Sequence, residues 1–355
     1  MNPAPSSPVG WRKPTVRALK AVVAVLVFAF VARHVHRTWG ELGRSEAALT
    51  FRPGWFALSG AAYLAGLALC GAFYRDVLGR SPTPISRFAA QRAYLVSHLG
   101  KYVPGKAVVV VMRAALSKPY GARASTSAVA TFYETLVMMA SGALIAAVLF
   151  ASGGESPVIP LERPVLGLVE IRSSILFAML SAGMGGALLT LVWPPVFRRA
   201  ARTLLRKIPG VDAGSMPDLD GSLLARGLAL TGVSWLFLGL SQVAAAKGLA
   251  GAGSPEIGPA AIPVATASVA LATVAGFAVA IAPGGLGVRE GVLMYALGPA
   301  FGPALATASA LALRLAWVAA EVLAALVLVP MGAAAPGKVP AAEAIQEAVP
   351  ISEAP

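Results

Sequence analysis

Two short stretches decide how this chain folds: residues 98–106 read HLGKYVPGK, and residues 282–290 read APGGLGVRE. Each stretch contains a Pro-Gly pair beside basic residues and lies between apolar runs. Proline lacks a backbone N–H donor and glycine relaxes the limits on backbone dihedrals, so both stretches are expected to interrupt helices. Broken backbone at membrane depth is tolerated only where protein or a water-filled cavity surrounds it. One such break in each half of the chain is typical of a transporter binding site.

The composition around these breaks indicates an integral membrane protein. Of the 355 residues, 57% are hydrophobic and 13% are charged, whereas about a quarter of a soluble domain is charged. The formal net charge is +13, and the basic residues lie in short loops, which indicates positive-inside topology and contact with anionic lipids. No nucleic-acid-binding motif accompanies this charge, so we expect no nucleic-acid partner. The single cysteine and the three histidines do not have the spacing of a metal site, and no cofactor or catalytic motif is recognisable.

The apolar runs predict an all-α, polytopic fold with about six full spans and two re-entrant helical hairpins. The predicted spans cover residues 18–31, 54–74, 125–150, 173–193, 224–246 and 303–329. The hairpins are the break regions at 88–116 and 259–297, and the fold has eight spans if the second region crosses. We therefore divide the chain into three parts: a basic cytoplasmic amino terminus at 1–17, a transmembrane domain at 18–330, and a disordered cytoplasmic tail at 331–355.

The charge of the loops predicts the orientation. Placing the amino terminus in the cytoplasm puts most Lys and Arg residues on the same side, in the loops at 75–92, 118–123 and 194–225. Both termini are then cytoplasmic and the protein lies in the inner membrane. An odd number of spans separates the two hairpins, so they enter from opposite faces, and the two Pro-Gly pairs align without gaps. These features predict an inverted repeat. The sequence leaves open whether the protein forms a homo-oligomer.

Charged residues inside or beside the spans are the candidate binding site. Burying each one costs about 2.5–3.5 kcal/mol on insertion scales, so such residues usually face a cavity and pair with one another. We expect the basic members to hold a lipid phosphate, aided by backbone N–H groups at the broken helix ends. Glu134 and Glu321 would neutralise the arginines of the empty site, or bind a cationic headgroup or a proton. The full candidate set is Lys101, Pro104, Gly105, Lys106, Arg113, Glu134, Pro283, Gly284, Arg289, Glu290, Arg314 and Glu321.

Structural roles for the same residues stay open at this point. The alternatives are a buried structural Arg113–Glu134 pair, anchoring of one helix by Arg314 and Glu321 (which share a face), interfacial snorkelling by Lys101 and Lys106, and a helix cap at Arg289-Glu290. Two other classes of function also stay open. One is a membrane-embedded transferase that acts on a lipid phosphate, although the short loops offer little room for catalytic acids. The other is a non-transporting partner of a lipid-modifying complex.

The two break motifs, with Arg113 and Glu134 between them, resemble the lysylphosphatidylglycerol synthase transmembrane-region family, also called flippase-like domain proteins. The resemblance covers roughly residues 15–330, and its more specific part is PGGLGVREG at 283–291. It implies a module similar to the membrane half of the multiple-peptide-resistance lipid modifiers, which moves aminoacylated phosphatidylglycerol between leaflets. Other members are linked to polyprenyl-phosphate-sugar pathways.

The resemblance also bears on whether this protein synthesises a modified lipid or only moves one. The bifunctional lipid modifiers carry an aminoacyl transferase domain after the membrane part, and this sequence ends soon after its last predicted span. We therefore expect no enzymatic step. The predicted function is translocation of an anionic phospholipid or of a lipid-linked phosphate headgroup across the bacterial inner membrane, with membrane lipids as the partners.

Overall fold

The computed structural model describes residues 49–102, 107–153, 158–163, 167–206, 216–278 and 287–332. Within these ranges the protein is a bundle of α-helices, which confirms the all-α fold class. The predicted first span at 18–31, the amino terminus and nearly all of the tail lie outside the described residues. The division into three parts therefore stays a prediction.

Ten α-helices make up most of the described residues. In chain order they are α1 (Pro53–Gly79), α2 (Arg87–Ser97), α3 (Ala107–Ser117), α4 (Ala124–Ala151), α5 (Ser173–Val192), α6 (Pro194–Leu205), α7 (Gly221–Leu249), α8 (Ala261–Ala278), α9 (Val288–Phe301) and α10 (Pro303–Met331). Short 3-10 helices follow α2 at His98–Tyr102 and α3 at Lys118–Tyr120.

Local chemistry explains where several helices begin. A proline opens α1, α6 and α10, a position at which its missing N–H has no helical partner to lose. The Ser86 hydroxyl caps α2 by accepting a hydrogen bond from the Ala89 amide at 3.2 Å. The Asp220 carboxylate caps α7 in the same way, accepting from the Leu223 amide at 2.7 Å.

The described residues contain six helices that are long and apolar enough to cross a membrane: α1, α4, α5, α7, α8 and α10. The protein is therefore a multi-pass membrane protein, as predicted. Five of the six coincide with predicted full spans, and the sixth, α8, is the first half of the second break region. Re-entry of either break region and the inverted repeat stay predictions, as do the inner-membrane location and the side on which the termini lie.

Helices α1 and α7 run antiparallel and define the two ends of the bundle. At one end, which we call the first end, the Thr50 amide donates to the Leu249 carbonyl oxygen at 3.0 Å. At the other, the second end, the Asp218 amide donates to the Arg80 carbonyl oxygen at 3.1 Å. These contacts hold the two helices together at both ends.

The first break region consists of two short helices, as the sequence predicted. Helices α2 and α3 have 11 residues each, so each is about 16 Å long, well short of a hydrocarbon core of about 30 Å. The 3-10 turn after α2 packs closely on α3, since a Cβ on Gly100 would lie 3.0 Å from the Val109 amide nitrogen. Residues 103–106, which include Pro104, Gly105 and Lys106, lie outside the described residues.

The second break region is bounded by α8 and α9, which have 18 and 14 residues. Gly287 precedes α9 with a φ of 85°, in the left-handed region that glycine enters without a steric penalty. Residues 279–286, which include Pro283 and Gly284, lie outside the described residues. Both Pro-Gly pairs are therefore bracketed by helix ends, and their own geometry is not part of the described structure.

Two segments predicted as loops contain regular structure. The loop at 151–172 holds an antiparallel pair of strands, β1 (Val158–Arg163) and β2 (Gly167–Arg172). The basic loop at 194–225 begins with α6, whose Phe197 and Leu205 side chains are buried while its arginines face outward. From the sequence, this run of arginines was interpreted as a signal of membrane topology. The short amphipathic pattern of the helix was therefore not recognised.

Candidate functional site

The charged residues of both break regions meet helix α10. Lys101 lies in the 3-10 turn of the first break, Arg289 and Glu290 lie in the first turn of α9, and Arg314 and Glu321 lie on α10. Together with Tyr63 of α1 and Trp317 of α10 these residues form what we call the central cluster. Its members come from four elements, of which α1 and the first break are distant in sequence from the adjacent helices α9 and α10.

An ion pair joins the first break to α10. The Lys101 ammonium donates to Glu321 Oε1, and the Tyr63 hydroxyl donates to the same oxygen. Lys101 also donates to the Tyr63 hydroxyl at 3.0 Å. The Glu321 side chain is 1% exposed, whereas that of Lys101 is 26% exposed. The lysine of this pair is thus partly accessible from outside the protein, whereas the carboxylate is enclosed by protein.

A second ion pair joins α10 to the second break. Arg314 donates to Glu290 Oε1, while Glu290 Oε2 accepts from the Gly287 amide at 2.7 Å. Glu290 therefore caps the first turn of α9 as well as binding Arg314, which confirms the capping role that the sequence left open for it. Two buried polar atoms of the cluster, Glu321 Oε2 and Arg314 Nε, have no hydrogen-bond partner among the described residues.

The indole of Trp317 lies between these two ion pairs along α10. The Tyr63 ring stacks on it with ring centroids 4.2 Å apart and an interplanar angle of 9°. The Arg289 guanidinium lies 4.2 Å from the centroid of the same indole, an attractive cation–π contact. Among the residues that the structure describes, no carboxylate lies within ion-pair distance of Arg289. The described cluster therefore contains three cations and two carboxylates.

Arg113 and Glu134 form a separate, fully enclosed group. Both side chains are 1% exposed, and Arg113 Nη1 donates to Glu134 Oε2 at 3.2 Å. Arg113 Nε also donates to Ser97 at 3.0 Å, and the Tyr94 hydroxyl donates to Glu134 Oε1 at 2.9 Å. The guanidinium lies 4.0 Å from the centroid of the Tyr94 ring. Helices α2, α3 and α4 are thereby joined by one hydrogen-bonded group.

The structure thus divides the described candidate residues into two sets. It brings Lys101, Arg289, Glu290, Arg314 and Glu321 together and keeps Arg113 and Glu134 apart in their own group. Arg314 and Glu321 do share a face of α10, as expected, but each pairs with a residue of a different break.

Sequence reasoning missed Tyr63 and Trp317. Aromatic residues in spans are common at membrane interfaces, so neither was singled out. One signal was present: Trp317 follows Arg314 by three residues, which places both on one face of a helix. Within the described ranges, no three His, Cys, Asp or Glu side chains are grouped so that they could hold a metal ion.

Comparison with known proteins gives one result for the family. The family model for the lysylphosphatidylglycerol synthase TM region matches residues 17–325 of this chain, which includes both break regions and the whole central cluster. The match confirms the resemblance drawn from the two Pro-Gly motifs. A search of curated proteins finds no match.

Proposed function

Since the chain belongs to the lysylphosphatidylglycerol synthase transmembrane-region family, which implies a lipid-related function in the membrane, we propose that it translocates an anionic lipid phosphate. The cargo is an anionic phospholipid or a lipid-linked phosphate headgroup, and the phosphate binds at the central cluster where the two breaks meet α10. The membrane crossed is the bacterial inner membrane. No transferase step is part of the proposal.

One observation carries this proposal: within the part of the chain that the structure describes, Arg289 is a cation without a carboxylate partner, in a cluster that already holds two ion pairs. Its guanidinium contacts the Trp317 indole, which leaves its N–H donors free of carboxylate oxygens among the described residues. A planar guanidinium binds phosphate oxygens in a bidentate manner. An anion bound there would balance the excess positive charge of the cluster.

The neighbouring ion pairs support the same role. Moving a phosphate through hydrocarbon without compensation is strongly unfavourable, so a translocation path must replace the lost water with fixed charges and donors. Lys101 and Arg314 lie on either side of Trp317 and can each exchange a carboxylate for a phosphate oxygen. Backbone N–H groups at the start of α9 add positive potential at the same place.

The test is leaflet exchange of fluorescent lipids in proteoliposomes with a membrane-impermeant quencher. Phosphatidylglycerol, its lysyl form and a polyprenyl phosphate are compared with phosphatidylcholine, using wild type and Arg289→Gln. A charge-assisted hydrogen bond contributes about 1.5–3 kcal/mol, so we expect Arg289→Gln to slow exchange of the anionic cargo by about tenfold or more. Exchange of phosphatidylcholine stays at the level of empty liposomes.

The matched control is Lys247→Gln. Lys247 also contacts an indole, with its ammonium 5.2 Å from the centroid of Trp55, but it lies near the first end of the bundle. This variant should exchange lipids like wild type. Exchange that is equal in wild type, Arg289→Gln and empty liposomes would contradict the proposal. Lipids recovered with a changed mass would instead favour a transferase.

A further inference from the structure

Helix α6 presents an arginine-lined groove that the central cluster does not use. The groove lies on the outer surface at the second end and has a volume of about 670 Å³. The residues that line it are Pro195, Arg198, Arg199, Arg202, Thr203 and Arg206. A volume of this size is within the range of small-ligand sites.

The side chains of α6 divide into three adjoining strips. Phe197 and Leu205 are buried against the bundle, and the Phe197 ring packs on Tyr133 of α4 with centroids 4.8 Å apart. The arginines form the second strip, since residues 198, 202 and 206 follow one another at one-turn spacing. The third strip is exposed and apolar: it consists of Val196 and Leu204, at 40% and 63%, and of Trp193, at 54%, which directly precedes α6.

This order of strips is that of a helix lying in a membrane interface. Exposed apolar residues of such a helix enter the acyl-chain boundary, and its basic residues meet the headgroups. Tryptophan is also enriched at this level of the bilayer. Because Phe197 fixes α6 to the bundle, the arginines are held beside the membrane surface and do not depend on lipid binding for their position.

The charge of the groove is strongly unbalanced. Four guanidinium groups line it, and the described carboxylate that pairs with them is Asp218, 3.5 Å from Arg198 and 76% exposed. The arginines extend over eight residue steps of helix, which is about 12 Å along the axis. More than one phosphate oxygen is therefore needed to satisfy these donors.

We propose that this groove binds the phosphates of an anionic membrane lipid headgroup and keeps that lipid at the second end of the bundle. The bound lipid is a resident ligand whose acyl chains lie along the exposed apolar strip of α6. This site is separate from the central cluster and does not rest on the proposed translocation.

The test is native mass spectrometry of the full chain in detergent, with cardiolipin as the probe and phosphatidylcholine as the neutral comparison. The groove variant replaces four arginines by glutamine: Arg198→Gln, Arg199→Gln, Arg202→Gln and Arg206→Gln. The matched control removes the same charge elsewhere at the second end: Arg75→Gln, Arg80→Gln, Arg87→Gln and Arg226→Gln. Thermal unfolding midpoints establish that both variants are folded.

We expect the groove variant to bind cardiolipin at least about tenfold more weakly, since each basic residue near an anionic surface contributes about 1 kcal/mol. The control variant should bind cardiolipin like wild type, and phosphatidylcholine should bind equally to all three proteins. Equal loss in both variants would assign the effect to overall charge and overturn the proposal, as would no loss in either. A parallel titration with inorganic phosphate alone identifies the source of the anion, because binding in the groove without lipid would make it a soluble-anion site instead.

Discussion

The Arg113–Glu134 pair offers a sharp test of whether a buried charge pair belongs to the scaffold or to the binding site. We interpret it as scaffold, because both side chains are 1% exposed and the described hydrogen-bond partners of Arg113 lie within the same group. The perturbation is Glu134→Leu, which removes the carboxylate and leaves the guanidinium enclosed. Tyr94 also loses the acceptor of its hydroxyl group.

The magnitude follows from this burial. Breaking a buried ion pair by removing one partner costs about 3–5 kcal/mol of stability. Because both side chains are only 1% exposed, solvent does not screen the pair and this cost is not reduced. Arg113 keeps its bond to Ser97 and its contact with the Tyr94 ring, which favours the lower half of that range. The double variant Arg113→Met with Glu134→Leu removes both charges, so we expect it to recover about 2 kcal/mol or more of the loss.

The assay is reversible unfolding in mixed micelles, with the free energy of unfolding measured for wild type, each single variant and the double variant. Lipid exchange is then measured on the folded proteins. The double variant should exchange lipids at a rate close to that of wild type, in contrast to Arg289→Gln. A folded double variant without exchange activity would refute the scaffold interpretation, and a double variant no more stable than Glu134→Leu would refute the magnitude.

Two further predictions concern helix packing and capping. Gly142→Ala should destabilise the protein by about 1–3 kcal/mol, because its Cβ would lie 2.6 Å from the Trp235 ring. Gly186→Ala, whose Cβ would meet no described atom within 4 Å, should leave the unfolding free energy unchanged or raise it by up to about 1 kcal/mol, because alanine favours a helix over glycine. The hydrogen bond from the Leu223 amide holds the pKa of Asp220 below its usual value, so the cap stabilises α7 above the carboxyl's unfolded pKa and is lost as pH falls through the lowered folded pKa. The protection factor of the Leu223 amide, which is its intrinsic exchange rate divided by its measured rate at the same pH, should therefore fall in acid in wild type, and this fall should be absent in Asp220→Ala.

The spans and the first break could be predicted because both depend on local composition. A long apolar run or a Pro-Gly pair can be recognised within a window of about twenty residues. The helices α1, α4, α5, α7 and α10 lie where the apolar runs predicted them. Helix α6 could not be recognised in the same way. Its amphipathic pattern is short, and its arginines are consistent both with a positively charged loop and with the polar face of an amphipathic helix. The burial of Phe197 and Leu205 distinguishes the two.

The charged residues of the central cluster were predicted from the sequence, but their pairing was not. Charged residues at membrane depth are rare enough to be noticed, so the five charged members were all chosen, whereas Tyr63 and Trp317 were missed. Their partners depend on contacts across 220 residues for Lys101–Glu321 and 24 residues for Arg314–Glu290. Helical spacing within α10 shows that Arg314 and Glu321 share a face, but it contains no information about which element faces them.

The pairing gives α10 a specific relation to the two breaks under the proposed function. Lys101 of the first break is a cation and Glu290 of the second is an anion, and α10 presents the opposite charge to each. A phosphate at Arg289 would compete with Glu321 for Lys101 and with Glu290 for Arg314. It would attract the first of these break residues and repel the second, so the first break would be held by the cargo while Glu290 lost its partner on α10. Because Arg289 lies on α9, a phosphate shared by Arg289 and Arg314 would replace the Glu290–Arg314 ion pair as the link between α9 and α10, and the same anion would hold Lys101 of the first break.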